Sequence, residues 1–153
     1  MPKTDRPFPR LRRLPEFTYA DPASAFHLVI RARINSAPFR GEMGDAVWDV
    51  LARERADGQV RVTAACLMPD HLHVIVFPRG RSVIRWVNAF KSLTTRAAWE
   101  AGWRGRLWQP RYYDHLIRDE EEYWTTVAYI RENPVVAGVV GSAEEWLVVP
   151  GEQ

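Results

Sequence analysis

Cysteine occurs once in these 153 residues, at Cys66, which excludes an internal disulfide framework. Long apolar runs are lacking as well, and nothing approaches the roughly 20 residues that span a bilayer. The opening stretch, MPKTDRPFPRLRRLPEF, has no apolar signal core, so a cytoplasmic chain is expected rather than a secreted one. Histidine is sparse, with only His27, His71, His73 and His115. A closed structural zinc site, which takes four protein ligands and usually cysteines, is thereby set aside. Lysine is nearly absent: of 21 basic residues only Lys3 and Lys91 are lysines, and the rest are arginines.

Hydrophobic residues make up 46% and charged residues 26% of the chain, the balance of a folded domain rather than a disordered segment. One domain of this length encloses a core. The net charge of +2 is modest, but its arginine bias suits a phosphate partner, because the guanidinium fork grips phosphate bidentately and stacks on bases. A GC-rich genome would produce the same bias through codon usage, so composition permits a nucleic-acid partner without requiring one. Residues 1–25 carry five prolines and five basic residues, among them Arg10, Arg12 and Arg13, and read as an irregular basic arm. Residues 26–153 read as a single domain.

Hydrophobic periodicity predicts the elements of that domain. A β-rich run, Phe26–Ile34, forms a first strand, and Met43–Arg55 a first helix ended by Asp57-Gly58. Gln59–Met68 is a second strand, with Val60, Val62, Ala64, Cys66 and Met68 alternating along one face. Pro69-Asp70 turns the chain into a third strand, His71–Phe77. Ser82 caps a second helix reaching about Trp99, broken by Gly102 and Gly105. A fourth strand lies within Leu107–Ile117. Asp119 and Glu122 make a capping-box variant ahead of a third helix that Pro134 is expected to stop. The order β-α-β-β-α-β-α predicts an α+β fold, the ferredoxin-like split βαβ sandwich: a four-stranded antiparallel sheet, two helices on one face, and an extra C-terminal helix.

Two motifs carry chemistry. His71 and His73 stand two apart on a strand and so project from one face, with Leu72, Val74 and Val76 on the other. Two imidazoles at this spacing can share one divalent cation. With one further oxygen ligand they leave positions open for phosphate oxygens and water, which suits Mg²⁺ or Mn²⁺ acting as a Lewis acid. Short patterns such as His-x-His also arise by chance in half-buried strands. On the third helix, Tyr123, Val127 and Ile130 form the packing stripe, and Tyr129 falls roughly 120° from it at 3.6 residues per turn. Asn133, one turn on, shares the Tyr129 side. A phenol held off the core can act as a nucleophile on phosphorus. Tyr112 and Tyr113 are rival candidates for that role. Trp108 and Arg111 are candidates to sandwich a base, and Arg81, Arg85, Lys91 and Arg96, with Arg79, to present a basic helix face to phosphates.

Taken in order, MPDHLHVIVFP (Met68–Pro78), NAFKSLTTR (Asn88–Arg96), LWQPRYYDHLIRDEEEY (Leu107–Tyr123) and YIRENPVVAG (Tyr129–Gly138) resemble the single-tyrosine HUH transposases of the IS200-like kind. More narrowly, they resemble the REP-associated tyrosine transposases. The resemblance covers about Phe26 to Trp146. It implies His71 and His73 as metal ligands completed by Asn133, Tyr129 as the catalytic nucleophile, and Lys91 on backbone phosphate. It further implies the ferredoxin-like fold, binding of imperfect single-stranded DNA hairpins of repetitive palindrome type, and metal-dependent cleavage with strand transfer through a 5′-phosphotyrosine. A nucleoid-associated location follows from such a partner. The chain departs from the family pattern after Trp146, where it reads LVVPGEQ in place of a Trp-x-x-Ser-Ser-type segment, and in RARINSAPFRGE after the first strand. Two other readings stand beside this one: a domesticated hairpin-DNA-binding protein without transposition activity, and a metal-site protein unrelated to DNA. Related enzymes act as dimers that exchange the tyrosine helix, whereas the closer family implies a monomer, which is the state expected here.

Overall fold

The computed structural model describes residues 14–136 and 148–149. Residues 1–13, with Arg10, Arg12 and Arg13, and the segment around Trp146 lie outside the described residues. A short 3-10 helix, Glu16–Ala20, comes first and seats Tyr19 in the core, its ring stacked at 5.0 Å on Phe26.

The elements then follow the expected order. They are β1 (Phe26–Ala32), α1 (Gly41–Asp57), β2 (Val60–Met68), β3 (His71–Pro78), α2 (Val83–Glu100), β4 (Trp108–Leu116) and α3 (Glu120–Val136). The strands lie in the order β4-β1-β3-β2, every neighbouring pair antiparallel, which is the ferredoxin-like arrangement. A two-residue β5 (Val148–Val149) adds to the outer side of β2, a strand not among the elements predicted from periodicity. No helix among the described residues is long and apolar enough to cross a membrane.

Local chemistry accounts for most boundaries. The Ser82 hydroxyl accepts from the Arg85 amide at 3.2 Å and caps α2, as expected. Gly58, at φ 80°, closes α1 in the left-handed conformation that glycine adopts without steric cost. β1 stops short of the expected Ile34 because its pairing with β4 slips between Ile30 and Ala32, and Asn35 at φ 61° then turns the chain away. Pro134 does not stop α3, which continues to Val136. A proline costs the Ile130 carbonyl its helical partner, but its own φ near −65° is helical, so the chain need not leave the helix there.

The larger correction concerns β2. The pairing with β3 shifts between Val62 and Ala64, a bulge that places one extra residue on β2 and inverts the alternation beyond it. Val60 and Val62 face the α1/α2 side, but so do Ala65 and Leu67. Ala64, Cys66 and Met68 face the other side, towards α3. The single apolar face read from Val60 to Met68 is therefore two faces.

The sheet has a core on each side. Leu72, Val74 and Val76 of β3 pack with Val47, Leu51, Trp86, Val87 and Phe90 from α1 and α2. On the opposite face, Tyr123, Val127 and Ile130 of α3 cover Ala64, Cys66, Met68 and Ile75. A clamp at its start fixes how α3 lies. Asp119 Oδ1 accepts from the Glu122 amide at 2.8 Å, while Glu122 Oε1 accepts from the Arg118 amide at 2.7 Å and Oε2 from His115 Nε2 at 2.7 Å. One carboxylate thus holds the Arg118 amide just ahead of the helix and ties the helix to β4.

The Arg118 amide first, and then His115, hold the Glu122 carboxyl down at about 2. A depressed carboxyl favours the folded state above the ordinary glutamate pKa and loses that contribution as pH falls towards 2. Glu122→Ala is expected to lower unfolding free energy by about 1 kcal/mol at neutral pH, the scale of a lost helix cap. The difference between wild type and variant should shrink between about pH 4.5 and 2, read by urea denaturation across that range.

Candidate active site

β3 delivers His71 and His73 to the α3 face, and the antiparallel register brings a third imidazole to them. Val29 pairs with His73 and His27 with Ile75, so His27 is the diagonal neighbour of His73 on the same face. The side chains form a chain of contacts. His71 Nδ1 lies 2.6 Å from Asp70 Oδ1, His71 Nε2 lies 3.2 Å from His73 Nε2, and His73 Nδ1 lies 3.1 Å from His27 Nε2.

Asp70 fixes one tautomer: with its carboxylate accepting, His71 carries its proton on Nδ1 and turns an Nε2 lone pair towards His73. The His27–His73 contact runs in either direction; when His27 Nε2 accepts, His73 also carries its proton on Nδ1 and turns a second Nε2 lone pair towards the first. Two lone pairs 3.2 Å apart repel unless a proton or cation lies between them. The separation also matches the roughly 3 Å between adjacent donors that each stand about 2.1 Å from one cation. The donor chemistry therefore fits a divalent metal, with Asp70 and His27 as the outer partners that orient the two ligands. Among the described residues, no cluster of three His, Cys, Asp or Glu side chains is arranged to hold a metal.

Burial keeps these imidazoles neutral. Desolvation, followed by the neighbouring histidines, lowers His73 to about 2; desolvation, then His115, lowers His27 to about 4. Desolvation also lowers His71, against the opposing pull of Asp70. Neutral imidazole is the metal-binding form, so protons do not compete for the pair near neutrality. Cys66 pairs with His73 across the β2–β3 ladder, but burial pushes its thiol up to about 12, and a neutral thiol is a poor ligand. Arg31 pairs with His71 in register and lies half-buried, its charge close enough to bear on both imidazoles.

Tyr129 projects from α3 into this group. Its ring centroid lies 5.5 Å from that of His73, at 90°, and 6.3 Å from that of His27, at 72°. The residue remains 54% exposed, so this side of the cluster is open to a ligand from solvent. The helical period explains this placement: Glu122, Thr126, Tyr129 and Asn133 form one stripe of α3, adjacent to the apolar stripe of Tyr123, Val127 and Ile130. The Glu122 clamp on β4 therefore also aims Tyr129. Asn133 stands one turn further along the same stripe and is half-buried. Of the rivals, Tyr113 shares the histidine face, its ring edge-on to His27 at 5.9 Å. Tyr112 points to the opposite face and is buried against the α1/α2 core.

The expected DNA-contacting residues separate. Trp108 is not an open stacking platform: it is 3% exposed, packed on Phe39 and Phe90, and donates its indole N–H to Thr94 Oγ1 at 2.7 Å. An apolar ring with a buried hydroxyl partner within reach gains more from the core than from solvent. Lys91 donates to the Gln109 and Pro110 carbonyls at 2.9 and 3.2 Å, joining α2 to β4. Arg85, Arg96 and Arg111 are exposed and Arg81 is half-buried. Arg81 and Arg85 stand where β3 passes into α2, at the opposite end of the sheet from His71. His27 and Arg31 were not singled out from the sequence. Their spacing of four places both on one face of an otherwise apolar strand, the signal that marks them.

Known proteins share this fold and part of this sequence. Residues 22–133 match the family described as Transposase IS200 like. The chain is similar to a REP-associated tyrosine transposase of Escherichia coli K12, 29% identical over 99 residues, covering 63% of this chain and 57% of the relative. It is also similar to the ISDra2 transposase TnpA of Deinococcus radiodurans, 27% identical over 95 residues, covering 57% and 68%. It spans little more than half the length of the first of these. Among solved structures, a REP-associated tyrosine transposase bound to a REP hairpin superposes with a TM-score of 0.70 at 24% identity, covering 91% of this chain and 80% of that one. A putative transposase from Deinococcus radiodurans gives 0.54 at 23% identity, covering 71% and 88%. At these identities the structures establish a shared fold. The family match spans most of the chain and every residue of the histidine–tyrosine cluster: the protein belongs to the IS200-like transposase family.

Proposed function

We propose that this chain is a metal-dependent enzyme that nicks and rejoins single-stranded, hairpin-forming DNA with Tyr129 as its nucleophile. One observation carries the reading: the Tyr129 ring stands edge-on to His73 at 5.5 Å, beside two Nε2 atoms only 3.2 Å apart. A phenol, a cation-fitting donor pair and the Arg31 charge meet on one open face. The REP hairpin bound by a structural relative supports a DNA hairpin as the substrate class.

His71, His73 and the side-chain amide of Asn133 would hold Mg²⁺ or Mn²⁺. Bound there, the cation supplies Lewis-acid polarisation of the phosphate. The chain's own groups do the rest. Tyr129 Oη attacks phosphorus and loses its proton; the bond to the 3′ oxygen breaks, and that oxygen takes up a proton as a free 3′ hydroxyl. The 5′ phosphate stays esterified to tyrosine, and attack by a 3′ hydroxyl reverses the step, so the phosphodiester bond is exchanged without being hydrolysed. Arg31 offsets phosphate charge, and His27 and Asp70 keep both ligating lone pairs aimed. Because tyrosine and histidines of one chain already meet, the arrangement supports action in cis by a monomer.

With an end-labelled hairpin oligonucleotide and Mn²⁺, wild type should form a covalent protein–DNA adduct. Tyr129→Phe should abolish it while leaving DNA affinity within about twofold, since the ring remains and only the nucleophile is lost. An adduct that survives in this variant would transfer the role to Tyr113. Binding by wild type with no adduct would favour the binding-only reading.

Mn²⁺ affinity, followed by the loss of free-ion paramagnetic signal, isolates the metal site from catalysis. His73→Ala should lose measurable binding. His27→Phe removes only the orienting partner and should weaken binding by about 10- to 100-fold. Equal affinity in all three proteins would refute the assignment.

A further inference from the structure

The C-terminal half of α2 and the loop after it build a second surface, apart from the tyrosine. Trp99 is 52% exposed, yet its ring is fixed, because Nε1 donates to the Gly105 carbonyl at 2.8 Å. Trp103 Nε1 donates likewise to Arg106 at 3.1 Å, and the Arg33 guanidinium lies over the Trp103 ring at 4.6 Å. Gly102 and Gly105, at φ 107° and 80°, let the loop fold back beneath the indoles. The result is a preformed groove of about 510 Å³ lined by Lys91, Thr95, Arg96, Trp99, Arg106 and Gln109. Trp99 also walls an adjoining hollow of about 430 Å³, shared with Trp103 and Arg104. Among the described residues, no carboxylate lines either one.

The chemistry of the walls selects the occupant. Arg96, Arg104 and Arg106 are exposed and call for an anion. The immobilised indole face beside them calls for a flat aromatic ring. Phosphate and base alternate in this way along a nucleic-acid strand. A duplex keeps its bases stacked inside, so only a single strand offers both groups at once. Position adds a second argument. Trp108 pairs with Ala32, Arg31 beside it pairs with His71, and the Ala32 amide donates to Asp70 at 2.8 Å. The groove therefore opens at the histidine end of the sheet. From there β4, an outer strand, runs past exposed Arg111 to Tyr113 on the tyrosine face.

We propose that this groove holds the single-stranded DNA flank next to the scissile phosphate, with one base stacked on Trp99 and the backbone against Arg96 and Arg106. The proposal rests on the DNA-cleaving reading of the tyrosine site and adds to it the path of the flank.

The test is fluorescence anisotropy on the full chain with a labelled DNA hairpin, either blunt or carrying a short single-stranded flank, at several salt concentrations. Wild type should bind the flanked probe more tightly. Trp99→Ala should remove that advantage, weakening flanked-probe binding about tenfold, within the range expected for one lost stack. Trp99→Phe keeps a ring face and should stay within about threefold. Arg106→Ala should lower the salt slope by about one, whereas Arg53→Ala, exposed on α1 outside the groove, should leave it unchanged. If Trp99→Ala fails to fold, Arg96→Ala and Arg106→Ala decide. Wild type that binds neither probe would sink the DNA reading itself. Wild type that binds both probes equally, or groove variants that match it, would overturn only the groove.

Discussion

A strand has two faces, and β3 loads them with opposite chemistry. Leu72, Val74 and Val76 enter the core under α1 and α2, so His71 and His73 have to emerge on the other side, where α3 lies. The three apolar residues are fully buried, and a one-residue slip of register would exchange them for imidazoles. Hydrophobic burial thus fixes the direction of the histidines, and the site needs no dedicated device to point them. The same constraint acts on α3. Its apolar stripe lies on Ala64, Cys66, Met68 and Ile75, which leaves the adjacent polar stripe no course but past His115, His27 and His73.

Stability and function are coupled through single groups on that stripe. Glu122 caps α3, bonds β4 through His115 and sets the line along which Tyr129 lies two turns later. His27 is half-buried with its Nε2 directed at His73, and desolvation keeps it neutral and able to accept a hydrogen bond. Both residues hold others in place. Tyr129 itself stays half in solvent, as the proposed nucleophile for a polymer substrate has to.

Much of this was legible in the sequence because it depends on local period. The alternation of β3 announced the His71/His73 face, the helical period announced the displacement of Tyr129, and Asp119 with Glu122 announced the start of α3. What was not legible depends on pairing between distant segments. His27 belongs to the cluster only because β1 meets β3 in one register, with Val29 opposite His73. The bulge between Val62 and Ala64 has no signature in an apolar strand, yet it decides which half of β2 lies under α3. Trp108 read as a base platform because an aromatic ring close to Arg111 suits an extruded base. Thr94, fourteen residues earlier, gives its indole a buried partner, while Trp99, at the end of α2, stays open.

The central claim is that the phenol from α3 and the imidazoles from β3 act on one phosphate. The most direct measurement is mass-spectrometric mapping of the covalent adduct after nuclease and protease digestion. The account predicts a nucleotide mass on the peptide containing Tyr129, attached through the 5′ phosphate. The same mass on the Tyr112–Tyr113 peptide, or a 3′-phosphate linkage, would contradict it.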